Sequence, residues 1–233
     1  MIFRNKKANL AEGLAKYEKE PPGYKKRTRT VSETASRYVY DKEENCYRNT
    51  EVRSENTARL MCVGDLMCEE KMYKAYNFDD KFLPYGIFYY VKKVFAEADF
   101  VIGNLETTIC EEAPYTGEEY KINGKYHCNA PASYLDILKY AGFDMFALSN
   151  NHNLDCGALG IGETIEEVEK RKFLHTGLYT DPNEKDRYVV VNINGIKVAF
   201  LSYSTWFNRN LNRLTEKGQG LLNIYDIEKV KEN

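Results

Sequence analysis

The sequence lacks several features that would place a protein in a class at once. Its 233 residues contain no run of about 18 apolar residues, so no transmembrane helix is predicted. The first residues are basic but contain no apolar segment, and we therefore predict no secretory signal. The six cysteines form no C-x-x-C pair, which argues against a zinc knuckle. Without a signal, these cysteines predict a reducing, cytoplasmic location for the chain.

An excess of one charge is also missing. The chain has 33 Lys and Arg residues and 35 Asp and Glu residues, and its net charge is −2. This balance argues against a nucleic-acid-binding protein that relies on an overall positive field. Histidine is scarce, with three residues, and tryptophan occurs once, at Trp206. A hydrophobic content of 43% can supply a globular core.

The N-terminal quarter differs in composition from the rest. Residues 1–57 are charged, include "EPPGY" and "KKRTRT", and show no sustained hydrophobic period. We predict a polar, partly basic, solvated extension here that adds little to the stability of the core. The domain itself is predicted over residues 58–233. Its last residues, "YDIEKVKEN", resemble the start of a helix, so we expect the domain to be incomplete at its C-terminal end.

Apolar runs and helical patterns alternate along the predicted domain. Buried strands are predicted for "ARLMCVGD", "DFVIGNLE" and "FDMFALS". Helices are predicted for 88–98, for "APASYLDILKYAG" with Gly142 just past its end, and for 161–172. Asn194-Gly195 predicts a β-hairpin within 187–204. The fold class is therefore α/β, with parallel strands at the start and an antiparallel hairpin later.

Polar side chains follow each of the three apolar strands. In parallel sheets, ligands bind beyond the carboxyl ends of the strands, so these side chains should share one edge. Carboxylate, amide and imidazole groups together suit a divalent metal, which lowers the pKa of a bound water. Each cluster alone also fits a polar turn or a helix cap, so a generic α/β domain with crowded turns remains an alternative. The side chains are those of Asp65, Asn104, Glu106, Asn150, Asn151, His152 and Asp155.

Four stretches resemble one known family. They are "VGDLM", "ADFVIGNLETTI", "YLDILKYAGFDMFALSNNHNLDCGALGIGETI" and "HTGL". They resemble the CapA/PgsA family of bacterial capsule and poly-γ-glutamate biosynthesis proteins, which is similar in fold to calcineurin-like metallophosphoesterases. The resemblance covers about Leu60 to Tyr203 and implies a metallophosphoesterase-like α/β sandwich. Members of this family are often associated with the cell envelope.

Two kinds of function are implied by the resemblance. One is a metal-dependent hydrolase that acts on an anionic envelope precursor with a phosphate or acyl linkage. The other is a non-catalytic binding or assembly component of a polymer synthesis or export complex. The sequence does not decide between an enzyme and a binding protein.

The resemblance also implies roles for the polar residues. Asp65 matches a metal-binding aspartate on the first strand, and Glu106, with Asn104 beside it, matches a metal-bridging carboxylate. Asn151 matches a metal ligand, and His152 matches a histidine that protonates the leaving group or holds the phosphate. We expect Asp155 to orient His152, since a neighbouring carboxylate commonly fixes an imidazole. Mostly oxygen donors predict Mn²⁺, Mg²⁺ or Ca²⁺ rather than a structural zinc ion.

The sequence departs from the metallophosphoesterase pattern at two places. These enzymes usually carry Asp-x-His on the first strand, where this chain has Asp65-Leu66-Met67. They also carry two later histidine motifs, whereas this chain has only His127 and His175 besides His152. We expect His175 to be structural and do not expect a complete dinuclear site in these 233 residues. Trp206 and Phe207, after the hairpin, are either core residues or a pocket wall.

Overall fold

The computed structural model describes residues 16, 37–50, 56–78, 81–82, 85–118, 124, 126–184 and 187–232. The strands are β1 (Tyr38–Asp41), β2 (Cys46–Asn49), β3 (Leu60–Asp65), β4 (Asn77–Phe78), β5 (Lys81–Phe82), β6 (Phe100–Asn104), β7 (Thr108–Ile109), β8 (Asn129–Ala130), β9 (Met145–Ala147), β10 (Leu174–Thr176), β11 (Val189–Ile193) and β12 (Ile196–Phe200). The helices are α1 (Glu70–Tyr76), α2 (Val91–Phe95), α3 (Ser133–Ala141), α4 (Gly157–Lys170), α5 (Glu216–Gln219) and α6 (Ile227–Glu232), with 3₁₀ turns at Tyr85–Phe88 and Leu211–Arg213. Within these ranges, no helix combines the length and the apolar character needed to span a bilayer.

A parallel four-stranded sheet is the centre of the fold. Its order is β10-β9-β6-β3, and every neighbouring pair is parallel. The three strands predicted from apolar runs, β3, β6 and β9, are therefore confirmed as parallel neighbours. Because they run in the same direction, their carboxyl ends and the polar residues that follow lie at one edge of the sheet.

A second, mixed sheet has the order β1-β2-β11-β12. Its strands β11 and β12 form the predicted hairpin, which is confirmed. Asn194 has φ 52° and Gly195 has φ 89°, so both turn residues lie in the left-handed region that a tight hairpin turn requires. The strand β2 pairs with β11 in parallel and with β1 in antiparallel orientation.

Side chains alternate between the two faces of the parallel sheet, as the period of a strand requires. On one face, Phe100 of β6 packs against the second sheet, with its ring stacked on Phe200 at 5.1 Å between centroids. On the other face, Val101 belongs to the larger core that α3 and α4 cover. A helical layer, the parallel sheet and the second sheet thus form the predicted α/β sandwich, which is confirmed.

The folded region starts earlier than the composition indicated. Residues 37–50 belong to the predicted polar extension, yet they form β1 and β2 of the second sheet. Tyr38 is only 3% exposed, and its hydroxyl donates to the carbonyl of Asp99 at 2.7 Å. Four-residue strands are too short to show a period, so only their place in the sheet beside β11 reveals them. Most of the remaining predicted extension lies outside the described residues.

Two helix boundaries also differ from expectation. The helix α4 begins at Gly157 rather than at Ile161, and the segment 88–98 contains only the five-residue α2. A side chain at Gly160 would lie 2.4 Å from the Cβ of Cys156, so the first turn of α4 packs too closely for any other residue. The helix α2 buries none of its residues, which leaves little packing to extend it.

Candidate functional site

The three polar clusters meet at one edge of the parallel sheet, as the sequence predicted. The amide nitrogen of Asn104 donates to Asp65 Oδ1 at 2.9 Å and to Glu106 Oε2 at 3.0 Å. Its amide oxygen accepts a hydrogen bond from Asn150 Nδ2 at 3.3 Å. Asn104, at the end of the central strand β6, therefore links Asp65, the last residue of β3, with Asn150, which follows β9.

The loop after β9 is held by two of its asparagines. Asn150 Oδ1 accepts from the backbone N–H of His152 at 3.0 Å, and its Nδ2 donates to the carbonyl of Leu105 at 2.9 Å. Asn153 Oδ1 accepts from the backbone N–H of Asn150 at 2.8 Å, and its Nδ2 donates to the carbonyl of Leu148. These amides satisfy buried backbone groups, as such a turn requires.

His152 and Asp155 form a buried pair. His152 Nδ1 lies 2.7 Å from Asp155 Oδ2, and the two residues are 5% and 3% exposed. Asp155 Oδ2 also accepts from the backbone N–H of Cys128 at 2.6 Å, which fixes the carboxylate. Burial alone lowers the pKa of His152, but the hydrogen bond and the charge of Asp155, with the charges of Glu106 and Glu69, raise it overall. Asp155 therefore occupies the orienting position that was predicted for it.

Two carboxylates face each other beside this pair. Glu106 is 8% exposed, and burial, together with the neighbouring Asp65, raises its pKa above the ordinary value. A hydrogen bond from Asn151 and the charge of His152 oppose that shift. His152 Nε2 lies 3.8 Å from Glu106 Oε1, so the imidazole and the carboxylates border the same space. A cation between these acids would relieve their repulsion.

The donor set fits a hard divalent cation only in part. Asp65 and Glu106 bring carboxylate oxygen atoms to one place, which suits weak binding of Mn²⁺, Mg²⁺ or Ca²⁺. Asn151 donates a hydrogen bond to Glu106 from its amide nitrogen, so its oxygen would face a cation only after the amide turns over. Over the described ranges, however, no group of three or more His, Cys, Asp and Glu side chains is arranged to hold a metal ion. Asn104 presents its amide nitrogen to both carboxylates, so a ligand role for Asn104 requires its amide to turn over. That role therefore stays a prediction.

Sequence reasoning missed Asn208 and Arg209, which lie in the segment after β12. The backbone N–H of Asn208 donates to the carbonyl of Asn151 at 2.8 Å, and the side chain of Asn208 contacts the ring of His152. Arg209 Nε lies 3.6 Å from Asp155 Oδ1, and Arg209 Nη2 donates to the carbonyl of Tyr126 at 2.6 Å. No spacing in the sequence marks these residues, because they are more than 50 positions from the loop that they contact.

An aromatic side chain borders the other side of His152. The ring of Tyr126 is edge-on to the His152 ring at 6.2 Å between centroids. Its hydroxyl donates to Glu69 Oε2 at 2.7 Å, which holds the ring at the mouth of the site. Tyr126 is 42% exposed, so its ring remains available to a ligand.

The other residues that the sequence analysis named lie at the edge of the site or outside it. His127 is buried, with Nε2 2.6 Å from the carbonyl of Pro114. His175, on β10, contacts Glu169 on α4 at 3.2 Å, which agrees with the structural role expected for it. Phe207 is partly buried against the larger core. Trp206 is 68% exposed and is therefore not a core residue.

Comparison with known proteins places these residues within a described family. The model of the family "Bacterial capsule synthesis protein PGA_cap" matches residues 59–225, a range that includes every residue of the site described above. "Capsule biosynthesis protein CapA" of Bacillus anthracis is 27% identical over 158 residues, which cover 66% of this chain and 36% of that protein. "PGA biosynthesis protein CapA" of Bacillus subtilis (strain 168) is 26% identical over 155 residues, which cover 65% of this chain and 38% of that protein. The chain thus matches less than two fifths of the length of these relatives.

Proposed function

Because the chain belongs to the family of bacterial capsule synthesis proteins, we propose that it acts in capsule or poly-γ-glutamate biosynthesis as a metal-dependent hydrolase. Its substrate would be an anionic envelope precursor with a phosphate or acyl linkage. The observation that carries the proposal is the position of His152 Nε2, 3.8 Å from Glu106 Oε1 and next to the Asp65–Glu106 pair. His152, which would transfer a proton, and the two carboxylates, which would hold a cation, would then act on the same bond of the substrate.

Each side chain has a definite task in this proposal. Asp65 and Glu106 would hold a divalent cation, with Asn151 as a third oxygen donor once its amide turns over. When bound, such a cation polarises the substrate and lowers the pKa of a water molecule. His152 would give a proton from Nε2 to the leaving group, and Asp155 would hold the imidazole through Nδ1. The raised pKa of His152 favours the protonated form that a general acid needs.

A second candidate function is supported by a different observation. Within the described part of the chain, no third His, Cys, Asp or Glu joins Asp65 and Glu106 to make a metal cluster. A weak site of this kind also suits a protein that binds a polymer or its precursor within a synthesis or export complex without hydrolysing it. Envelope association and cytoplasmic location both remain predictions under either function.

Calorimetric titration with Mn²⁺ tests the metal-binding step. We expect weak binding to the wild type, the largest loss of affinity in Asp65→Ala, and a smaller loss in Asp155→Ala of about 10–100-fold. Asp181→Ala is the matched control, because Asp181 is exposed and its carboxylate accepts hydrogen bonds from Asn183 within its own turn, away from the site. Equal titrations for all four proteins would show that the polar clusters are crowded turns.

Two chromogenic esters then separate the two functions. We expect Mn²⁺-dependent hydrolysis of p-nitrophenyl phosphate if a phosphate linkage is cleaved, and of p-nitrophenyl acetate if an acyl linkage is cleaved. His152→Gln should reduce either rate by about 10²–10⁴-fold, the usual contribution of a general acid or base. Mn²⁺ binding without hydrolysis of either ester would favour the binding function over the enzyme.

A further inference from the structure

A short stretch that includes α2 exposes aromatic and apolar side chains to solvent. Tyr89 is 56% exposed and Tyr90 is 83% exposed, and the side chains of Val91 and Val94 on α2 are exposed as well. An amphipathic helix in a globular domain normally turns its apolar side chains towards the core, but α2 buries none of its residues. Apolar side chains that are exposed together mark an interaction surface. We call the exposed side chains of residues 89–94 the 89–94 surface.

Two phenylalanines hold the ends of this stretch to the core. Phe88, directly before it, packs edge-on against Phe143 with 6.0 Å between ring centroids, and Phe95, directly after it, does so at 5.1 Å. Phe143 is buried in the larger core. The two inward rings therefore fix the segment in place, and the residues between them form its outer side.

The 89–94 surface also has a positive charge. It contains Lys92 and Lys93, and the sequence has no acidic residue from position 85 to position 96. The next acid along the chain, Glu97, lies 3.3 Å from Arg59 and is thus paired with another cation. The charge of the surface is therefore complementary to an anionic partner.

We propose that the 89–94 surface binds the interface of a bilayer that contains anionic phospholipids. Tyrosine rings favour the membrane–water interface, because one end of the side chain is apolar and the other is polar. Val91 and Val94 would enter the same apolar layer, while the ammonium groups of Lys92 and Lys93 would reach the lipid phosphates. Such a contact inserts side chains only to a shallow depth and requires no spanning helix.

Two other partners match the 89–94 surface less well. A second copy of this chain, docked through the same surface about a two-fold axis, would bring Lys92 and Lys93 of both copies close together. A hydrated anionic polymer would pair with the lysines but would leave Val91 and Val94 in contact with water. A bilayer interface presents anionic and apolar groups at adjacent depths, so it matches both parts of the surface.

The proposal goes beyond the proposed function and does not depend on it. The 89–94 surface shares no residue with the site at the edge of the parallel sheet. Substitutions in the surface should therefore change membrane binding and leave Mn²⁺ binding as in the wild type.

Co-sedimentation of the full chain with lipid vesicles tests the proposal. The probe is vesicles of equal parts phosphatidylglycerol and phosphatidylcholine, compared with vesicles of phosphatidylcholine alone. We expect the wild type to bind the anionic vesicles, and we expect the binding to weaken as added salt screens the lipid charges. The double variant Lys92→Glu/Lys93→Glu should bind at least about 25-fold more weakly, since each lysine near an anionic surface contributes about fivefold. Tyr89→Ser/Tyr90→Ser should bind about tenfold more weakly, because it removes apolar area that would leave water.

Two matched variants separate this surface from general effects of charge and exposure. Lys229→Glu/Lys231→Glu makes the same change of net charge on α6, where both lysines are exposed. Val39→Ser/Tyr40→Ser removes exposed apolar side chains from β1. Both controls should bind the anionic vesicles as the wild type does. Thermal unfolding of the 89–94 variants should match that of the wild type, because the replaced side chains lie at the surface.

Three outcomes would overturn the proposal. One is a wild type that does not bind the anionic vesicles, or that binds them no better than the 89–94 variants do, which would assign any contact to another part of the chain such as the basic stretch "KKRTRT". Another is a dimer in sedimentation velocity without lipid that Tyr89→Ser/Tyr90→Ser dissociates, which would assign the surface to self-association. The third is binding of soluble polyglutamate that only the lysine variant loses, without vesicle binding, which would assign the surface to an anionic polymer.

Discussion

The guanidinium of Arg37 donates to both carboxylate oxygens of Asp144, although 107 positions separate the two residues. Asp144 also accepts from the backbone N–H of Val101 at 2.9 Å, so one buried carboxylate joins the start of β1 to the central strand β6. Burial raises the pKa of Asp144, and the hydrogen bond and charge of Arg37 oppose that shift. The N-terminal strands are thus held to the domain by an ion pair as well as by sheet pairing.

Replacement of Tyr38 by alanine should destabilise the whole domain. Tyr38 is buried, packs edge-on against Phe100 at 5.0 Å and donates to the carbonyl of Asp99. Loss of a buried aromatic side chain typically costs about 3–5 kcal/mol of unfolding free energy. Tyr40→Ala is the control, because Tyr40 lies on the same strand and is 46% exposed. Urea unfolding should show a large decrease in the free energy of unfolding for Tyr38→Ala but not for Tyr40→Ala. Equal, small decreases in both variants would mean that β1 contributes little to the stability of the domain.

Replacement of Glu106 by glutamine should stabilise the protein in metal-free buffer. Burial and Asp65 raise the pKa of Glu106 in the fold, so its contribution to stability is present at low pH and is lost as the pH rises through the folded value. At pH 7 the uncharged glutamine side chain avoids this loss of stability. We therefore expect the free energy of unfolding of Glu106→Gln to exceed that of the wild type by about 0.5–2 kcal/mol.

Thermal unfolding at several pH values measures this gain. The difference between Glu106→Gln and the wild type should shrink as the pH falls, because the wild-type carboxyl is then protonated as well. The exposed residue Glu97 provides the control variant Glu97→Gln. A Glu106→Gln protein that is less stable at neutral pH would show that the charged carboxylate supports the fold.

The pKa of His152 should depend on its hydrogen-bonded partner, Asp155. Burial lowers the pKa of His152, but Asp155 and the other acids raise it overall above 6.5. The stability that this shift contributes is therefore full below about pH 6.5 and is lost as the pH rises through the folded pKa. NMR titration should place the midpoint above 6.5 in the wild type and lower it in Asp155→Asn. A wild-type midpoint below 6.5 would contradict the predicted balance between burial and charge.

Local patterns allowed a large part of this fold to be predicted. The strands β3, β6 and β9 follow from apolar runs, and Gly142 ends α3 with φ 105°, the left-handed conformation expected just past a helix. Asn194-Gly195 likewise determines the turn between β11 and β12. In each case a few consecutive residues contain the information, because backbone conformation and the periods of strands and helices are local properties.

The site could be predicted from the sequence only where the sheet itself brings residues together. Asp65 and Asn104 end parallel strands and Asn150 follows a third, and the strand direction places them at one edge without any knowledge of side-chain positions. The contact of His152 with Asp155 was expected from the family resemblance, since a neighbouring carboxylate commonly fixes an imidazole. The sequence thus determined the α/β class, the order of its main elements, and the edge at which polar side chains gather.

Only the tertiary structure decided which other residues complete that edge. Tyr38 lies on the short strand β1, with Arg37 directly before it, and β1 joins the second sheet through β2, which pairs with β11. Asn208 reaches His152 because the β11–β12 hairpin returns the chain to the loop after β9. The amide of Asn104 was expected to bind metal, yet packing turns its nitrogen towards both carboxylates. Contacts between residues so far apart in the sequence depend on how the sheets pack, and the residues next to them in the sequence do not indicate that packing.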